Sequence, residues 1–369
     1  MDPLTQGVVG AVAAQCAARR NDIRVATLAG FAAGMLPDVD VFIRSGTDPL
    51  LFLEYHRHFT HSLAFVPIGG MVAALLLWPF LRGREARISH HPPAADGGEK
   101  RGPGFLRLYL FTTLGYLTHG LLDACTTYGT YLLWPFSDAR IAWHNIAVID
   151  PLFSLPLLVL IAWAASKRSP ALGRTALVLG LGYLLLGVVQ RERADALLHR
   201  VASAEGHAIE RGGAKPTLGN LLVWRGVYEY RGRLYAVALR PGLFGPDRAG
   251  AVSGADAFDS ARDLPNLDQS SRLARDIARF AHFSDDWLVW VPDRHDIVGD
   301  FRYALLPGRV QPIWGIRVDP GRPDQHAPYV TLRDVSRRDW QRFTCKISGS
   351  CLPVFASPRV LEQPVRAAP

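Results

Sequence analysis

The first half of this sequence contains long apolar runs without charge, and these constrain the fold more than any other feature. Leu63–Leu81 is free of charge up to Arg82 and is long enough to cross the ~30 Å hydrocarbon core of a bilayer. Further apolar stretches cover residues 108–125, 152–165 and 176–189. Because a segment in lipid must satisfy its own backbone polar groups, each run is predicted to be a helix. The first half is therefore expected to form a multi-pass transmembrane bundle.

The composition of the chain changes near residue 190. Residues 1–190 are rich in Leu, Ala, Val and Gly, whereas residues 191–369 are rich in Arg, Asp, Trp, Tyr and Pro. The predicted fold is mostly α: a membrane-embedded helical bundle over 1–190, followed by a smaller soluble α+β domain over 191–369. In the second part, alternating residues in 223–239 and 301–318 predict two β-hairpins, and residues 271–282 predict a short helix. Its tryptophans are expected to form the core of this domain.

Four short segments with acidic residues and histidines interrupt the apolar half. Polar groups at the ends of hydrophobic runs are expensive to keep there, so they are usually functional. Neutral imidazoles and carboxylates are the usual ligands of zinc, manganese and non-haem iron. A His/Asp metal centre is therefore predicted from these residues, which are Asp38 and Asp40, His56 and His61, His119 and Asp123, and Asp150.

Each segment taken alone also has a structural interpretation. Asp38 and Asp40 could be solvated acids after a helix end, and two histidines such as His56 and His61 could lie at the membrane surface. His119 and Asp123 are four residues apart and so share one face of an apolar helix. They are expected to face the interior of the bundle, as metal ligands or as a buried structural pair.

The basic loops predict which end of the bundle carries these residues. Residues 82–107 and the short loop from Lys167 to Arg174 are strongly basic, whereas residues 126–149 contain only Arg140 as a basic residue other than histidine. Positively charged loops stay in the cytoplasm, so the His/Asp segments are expected together at the outer face of the membrane. The same predicted topology places residues 191–369 in the periplasm or exterior.

Cysteines and net charge bear on the compartment and on partners. Cys345 and Cys351 lie close together in the polar half and are either a disulfide or two free thiols. A disulfide would fit an oxidising compartment. The net charge of +8 could suggest nucleic acid, but the arginines are scattered and no nucleic-acid motif occurs, so no such partner is expected. Membrane lipids are the expected surroundings of the first half.

Taken in order, the motifs of residues 1–190 resemble the YdjM/YbcI-type family of inner-membrane metal-dependent hydrolases. The matching residues are Met1-Asp2-Pro3-Leu4-Thr5-Gln6, Leu36-Pro37-Asp38-Val39-Asp40, His56-Arg57 with Phe59-Thr60-His61-Ser62, His119 with Leu122-Asp123, Thr126, Tyr128-Gly129-Thr130, Leu133-Trp134-Pro135-Phe136-Ser137 and Ile149-Asp150-Pro151-Leu152. The family is in turn distantly similar to zinc-dependent phospholipase C and the P1-type nucleases, whose all-helical sites hold metals with His and Asp.

The resemblance implies a site and an activity. It implies zinc, with manganese or iron as alternatives, and proton transfer by Asp123 or Asp150. His58 stands where many relatives have Gly, and His144 lies near the motifs without belonging to one. The metal ligands that the resemblance implies are Asp38, Asp40, His56, His61, His119 and Asp123.

The expected function is that of a membrane-bound hydrolase in which a metal-activated water attacks a phosphodiester or another ester, with an amphiphilic, lipid-linked substrate. A non-catalytic membrane protein with a structural metal and a partner-binding outer domain is one alternative. An ion transporter is the other, but it would need polar groups through the full membrane depth. Here they collect at one end. The sequence does not indicate an oligomeric state.

Overall fold

The computed structural model describes residues 1–81, 104–243 and 245–356. Most of the predicted basic loop 82–107 therefore lies outside the described residues. Short 3₁₀ helices at Leu36–Phe42, Phe59–His61 and Leu63–Phe65 connect the helices of the first part. These helices are α1 Pro3–Ala17, α2 Ile23–Met35, α3 Leu51–Tyr55, α4 Val66–Leu81, α5 Phe105–Ala124, α6 Pro151–Lys167 and α7 Pro170–Ala204.

Three helical segments are long and apolar enough to cross a membrane: Ile23–Phe42, Leu63–Leu81 and Pro170–Ala204. Helix α6 is also apolar but shorter. Large apolar side chains such as Leu75 and Leu181 are more than half exposed, as lipid-facing residues are. The chain is therefore a helical membrane protein with a sheet-containing part after the helices.

Helices α1, α2 and α5 pack closely through glycines. A Cβ atom added at Gly10 would lie 2.4 Å from the carbonyl oxygen of Gly30, and one at Gly115 would lie 2.5 Å from the same atom. Small residues let helix backbones approach each other in membranes, where dispersion contacts drive helix association. This packing places the end of α5 beside the end of α2.

Helix α7 runs through the composition change at residue 190 and ends at Ala204. The sequence predicted a helix over the apolar run 176–189, but no proline interrupts the residues that follow, and the helix continues well beyond that run. Its last turns bury Leu197, Leu198 and Val201 against Trp224 of the following sheet. The proposed boundary between residues 190 and 191 stays a prediction.

The later part contains two antiparallel sheets. The first has the order β1-β2-β3-β4, with β5 also paired to β3, and the second has the order β6-β7-β8-β9. The elements are β1 Arg211–Pro216, β2 Trp224–Tyr230, β3 Arg233–Arg240, β4 Arg248–Ala249, β5 Ser253–Asp256, α8 Ser260–Asp263, α9 Arg272–Phe283, β6 Leu288–Val291, β7 Arg294–Asp300, β8 Trp314–Arg317, β9 Tyr329–Thr331 and α10 Arg337–Ser348.

The first predicted hairpin is confirmed and the second is wrong. Strands β2 and β3 pair around the Arg231-Gly232 turn, where both residues have positive φ. Strand β8 pairs instead with β7, in which Ile297 lies opposite Arg317. Residues 301–306 form no strand and make one bridge, between Ala304 and Pro312. Pro307 and Pro312 cannot donate ladder hydrogen bonds, which disfavours the hairpin predicted from the alternation.

The helical part and the later part share a core. Leu50 and Leu53, which lie before and within α3, pack with Phe280 and Ile316. Arg279 of α9 reinforces this contact, with its guanidinium 2.9 Å from Asp48 and 2.5 Å from Glu54. Residues 257–331 therefore lie at the end of the helical part that carries α3.

Cys345 and Cys351 are joined in a disulfide at the end of α10, whereas Cys16 and Cys125 are free. The structure thus shows the first of the two alternatives that the sequence left open.

Candidate metal centre

Three elements bring four of the predicted ligands together. Asp38 lies in the 3₁₀ helix that continues α2, and His61 ends the 3₁₀ helix before α4. His119 and Asp123 follow one turn apart on α5. One ligand atom from each of these four residues lies within 4.8 Å of the others. The backbone of Phe59–His61 can come this close because residue 120 is glycine: a Cβ there would lie 2.1 Å from the His61 carbonyl oxygen.

The distances between these atoms suit a four-coordinate ion. His61 Nε2 lies 3.6 Å from Asp38 Oδ1 and 3.3 Å from Asp123 Oδ2. His119 Nε2 lies 3.4 Å from the same Asp38 atom and 3.7 Å from the same Asp123 atom. Ligands at ~2.0–2.1 Å from a tetrahedral zinc stand ~3.3 Å apart. The four donors therefore leave room for one ion, with the two Nε2 atoms closer together, at 2.8 Å.

Hydrogen bonds on the far side of each ring fix the tautomer of both histidines. His119 Nδ1 lies 2.6 Å from the Gly34 carbonyl oxygen, which can only accept, so this nitrogen carries the proton. His61 Nδ1 lies 2.9 Å from Thr60 Oγ1 and 3.3 Å from Asp40 Oδ2. Thr60 donates its own hydroxyl proton to Asp40, so it accepts from His61. When both rings are neutral, their Nε2 lone pairs face each other, an arrangement that a cation between them stabilises.

Asp123 presents an unsatisfied oxygen to the same place. Its Oδ1 accepts from Gln6 Nε2 at 2.8 Å and contacts the amino group of Met1. Its Oδ2 is buried and, within the described part of the chain, has no hydrogen bond, although Arg57 Nε lies 3.1 Å away. Buried carboxylate oxygens are normally hydrogen-bonded or bound to a metal. The residues present therefore fit a divalent ion.

The other two predicted ligands adjoin this cluster. Asp38, Asp40 and His56 form a second group whose ligand atoms lie within 4.8 Å of one another. His56 Nδ1 donates to Asp40 Oδ1 at 2.8 Å, and the backbone amide of Arg57 donates to Asp40 Oδ2 at 2.8 Å. The structure thus brings all six predicted ligands together, in two groups that share Asp38.

Three other candidates lie elsewhere. Asp150 caps the N-terminus of α6: Oδ1 accepts from the Leu152 amide at 3.1 Å and Oδ2 accepts from the Tyr183 hydroxyl at 2.9 Å. Both of its oxygens are thus engaged away from the cluster. His58 packs against aromatic rings, and burial lowers its pKa. His144 is half-buried, and desolvation together with nearby cations lowers its pKa to about 2, so it stays neutral.

Arg57 is a site residue that the sequence reasoning missed. It is buried, donates to Thr126 Oγ1 at 3.0 Å and lies with its guanidinium 4.6 Å from the ring centre of Tyr128. It provides a fixed positive charge beside Asp123. An arginine between His56 and His58 was the available signal, because a buried cation needs a partner.

Several basic residues of the helical part lie at the end opposite the His/Asp cluster. Arg107 at the start of α5 pairs with Asp22 at 2.6 Å, and Arg24 donates to the Ala165 carbonyl oxygen at 3.2 Å. Lys167 at the end of α6 lies at this same end, and Arg174 follows in the second turn of α7. The predicted separation between a basic end and a His/Asp end is therefore present in the fold.

The fold and the site together make this chain a helical membrane protein with a buried His/Asp cluster at one end of its helices. Residues 1–194 match the family described as YdjM inner membrane protein, and the chain belongs to this family. The membership in the YdjM/YbcI-type family of inner membrane proteins that the motifs indicated is thus confirmed.

Two relatives are similar to this chain over part of their length. The chain is 29% identical over 189 residues to the uncharacterized protein YfhP of Bacillus subtilis, a match that covers 51% of each chain. It is 35% identical over 124 residues to the inner membrane protein YbcI of Escherichia coli, covering 32% of this chain and 60% of YbcI. The chain thus spans about half to three-fifths of these relatives. No solved structure matches it.

Proposed function

We propose that the protein is a membrane-bound, metal-dependent hydrolase that cleaves a phosphodiester or another ester. The observation that carries the proposal is the pair of Nε2 atoms 2.8 Å apart, each on a ring whose Nδ1 proton is committed elsewhere. Two neutral imidazoles in this arrangement direct both Nε2 lone pairs to one point, as two ligands of a single cation do. The nearby carboxylates of Asp38 and Asp123 complete a donor set for a divalent cation.

The donor set favours zinc, with manganese or iron as alternatives. Two neutral imidazoles and two carboxylates suit all three ions, and the candidate groups contain no thiolate. A bound divalent ion would supply the positive charge that activates a water molecule near neutral pH. Asp38, His61, His119 and Asp123 would hold this ion. Asp40 and His56 would support it or contribute to a second position.

The surrounding residues orient the ligands and handle the proton. Asp40, through Thr60, holds the ring of His61, and the Gly34 carbonyl holds the ring of His119. When water takes the fourth position on the ion, Asp123 Oδ2 would leave the ion and act as the proposed proton acceptor, since it has no hydrogen bond among the described residues. Asp150 is not given this role, because its oxygens cap α6 and contact Tyr183. Arg57 would stabilise negative charge that develops near Asp123.

The position of the site suggests an amphiphilic substrate. The cluster lies where the apolar helices end, so a lipid-linked ester could reach it from the membrane surface. Because the basic loops lie at the other end, we propose that the site and the C-terminal part face the periplasm or exterior.

The metal proposal is tested with detergent-purified protein. His119→Ala and Asp123→Asn should each weaken zinc binding by more than about 100-fold, the upper end of what loss of an outer-shell partner costs. The matched control is Thr118→Ala on the same helix, whose hydroxyl donates to the Gly115 carbonyl oxygen and has no other hydrogen bond among the described residues. Metal content by mass spectrometry and hydrolysis of bis(p-nitrophenyl) phosphate are measured on all four proteins.

The outcomes separate the possible functions. Metal binding and hydrolysis that both disappear in the two site variants, but not in the control, support the hydrolase. Full metal occupancy in both variants contradicts this site. Metal binding that is lost in the site variants, without hydrolysis of any ester in a panel of phosphodiesters and phospholipids, contradicts the enzymatic function and indicates a structural metal.

A further inference from the structure

A cavity of about 210 Å³ lies where the helical part meets the C-terminal part, next to the metal centre. Arg44, Phe52, His56 and Tyr128 line it from the helical side. Phe283, Trp314, Tyr329 and Arg333 line it from the C-terminal side. The cavity therefore needs both parts of the chain. Its C-terminal wall comes from residues beyond the family match, which ends at residue 194.

The cavity is connected to the site through two side chains. His56 lines it and uses Nδ1 to bond Asp40, which leaves the Nε2 edge without a hydrogen-bond partner among the described residues. Tyr128 also lines it, and the guanidinium of Arg57 lies 4.6 Å from its ring centre. Arg57 in turn contacts Asp123. A ligand in the cavity would thus lie directly beside the proposed metal ligands.

The charge of the cavity is positive. Arg44 and Arg333 both line it, and neither has a carboxylate within ion-pair distance in the described parts of the chain. Arg44 donates only to the Val41 carbonyl oxygen, and the Arg333 guanidinium lies 5.4 Å from the Trp314 ring centre. Arginines without acidic partners are suited to bind phosphate, which accepts two hydrogen bonds from one guanidinium.

The remaining wall is aromatic. Phe52 and Tyr329 meet edge to face at 5.1 Å, and Tyr128 and Phe283 meet at 5.4 Å. Such a wall favours a planar or apolar group. The volume is below the ~300 Å³ at which pockets for drug-sized ligands begin, so it suits a headgroup rather than a whole lipid.

We propose that this cavity is the substrate pocket of the hydrolase site and binds a phosphate ester with a planar or apolar group on the phosphate. Arg44 and Arg333 bind the phosphate, and the aromatic wall selects the organic group. The region beyond the family match thus determines the selectivity of this chain. This inference rests on the proposed hydrolase function for its catalytic meaning, but the binding itself can be tested separately.

The test measures binding of phenylphosphonate, which is not hydrolysed, to the full-length protein in detergent by titration calorimetry. The wild type should bind phenylphosphonate more tightly than inorganic phosphate, because only the former contacts the aromatic wall. Arg44→Gln and Arg333→Gln should each weaken binding at least about fivefold, since each removes an exposed charged partner. Added salt should also weaken wild-type binding, because both arginines are exposed.

Matched variants control for folding and for nonspecific charge. Arg317→Gln removes an exposed arginine of β8 that pairs with Asp296 and does not line the cavity, and it should bind phenylphosphonate as the wild type does. Arg44→Lys and Arg333→Lys keep the charge and should retain more affinity than the glutamine variants. Tyr329→Leu should reduce the preference for phenylphosphonate over phosphate.

The titrations are repeated after metal removal by a chelator, which separates the two proposals. Binding that depends on both arginines with and without metal supports the pocket. Binding unaffected by either glutamine variant, or binding seen only with metal and equal for phosphate and phenylphosphonate, overturns the pocket even if the enzyme hydrolyses esters. Arginine-dependent binding without any hydrolysis by metal-loaded wild type supports the pocket and overturns the hydrolase.

Discussion

At the scale of single residues, the hydrogen bond that each histidine makes through Nδ1 determines whether its Nε2 atom is available to bind a metal. The Gly34 carbonyl oxygen accepts a hydrogen bond from His119 Nδ1, and Thr60 Oγ1 accepts one from His61 Nδ1. Neither partner touches the proposed ion, yet both determine that the Nε2 lone pairs point at each other. A histidine in an apolar helix becomes a candidate ligand only when such a partner is present.

Lys215 of β1 is a buried cation that should make the stability of the protein depend on pH. Burial, with a smaller effect from Arg302, lowers its pKa to about 7, from 10.5. In the unfolded chain the lysine keeps its proton up to about pH 10.4. The folded state releases it near pH 7, so the wild type should gain stability as the pH rises from about 7 to about 10.

We expect Lys215→Met to raise the melting temperature at pH 6 and to lose most of this advantage by pH 10, because the cost of burying the charge is largest when the lysine is protonated. Thermal unfolding in detergent across this pH range measures the difference from the wild type. Arg317→Met, at an exposed cation, serves as the control and should show no such trend. Parallel pH profiles for wild type and Lys215→Met would contradict the prediction.

At the scale of elements, the spacing between helices positions the metal ligands. Gly10, Gly30, Gly34 and Gly115 let α1, α2 and α5 approach so closely that the Gly34 carbonyl reaches His119. The contact is between backbones, so any side chain at these positions would push the helices apart.

Gly115→Val should therefore both destabilise the bundle and weaken metal binding. An added Cβ would lie 2.5 Å from the Gly30 carbonyl oxygen, and overpacking of this kind costs about 1–3 kcal/mol. Since the change also displaces α5, His119 should lose its contact with Gly34. The control is Gly182→Val in α7, where a Cβ meets nothing within 4 Å. Melting temperature and zinc affinity are measured for both variants, and unchanged zinc affinity in Gly115→Val would show that this packing does not position the ligand.

At the scale of the whole molecule, the two ends of the helical part differ in chemistry. One end carries the His/Asp cluster and contacts the C-terminal part through Leu50, Leu53 and Arg279. The other end carries Arg24, Arg107, Lys167 and Arg174. In a bilayer this asymmetry predicts an orientation, because basic segments are favoured on the cytoplasmic side.

Cysteine labelling in intact cells should reveal this orientation. In a parent chain with Cys16 and Cys125 replaced by alanine, Ser270→Cys before α9 should react with a membrane-impermeant maleimide. Asn21→Cys, in the exposed α1–α2 connection, should react only after permeabilisation. The reverse pattern would place the C-terminal part in the cytoplasm.

The sequence by itself determined what depends on local pattern and composition. Apolar runs predicted helices, and alternation with a Gly-containing turn predicted the β2–β3 hairpin. The His119–Asp123 spacing placed two polar groups on one helix face. These features follow from backbone periodicity and from the cost of placing polar groups in lipid, which neighbouring residues suffice to set.

Tertiary structure decided what depends on residues distant in sequence. Only the packing of α2 against α5 brings Gly34 to His119, and only the folded chain places Arg57 beside Asp123. The pairing of β8 with β7 replaced a hairpin that the alternation favoured. The cavity that joins Arg44 to Trp314 and Arg333 likewise exists only where the two parts meet. Such contacts are selected by the shape and burial of the whole molecule, and no local pattern encodes them.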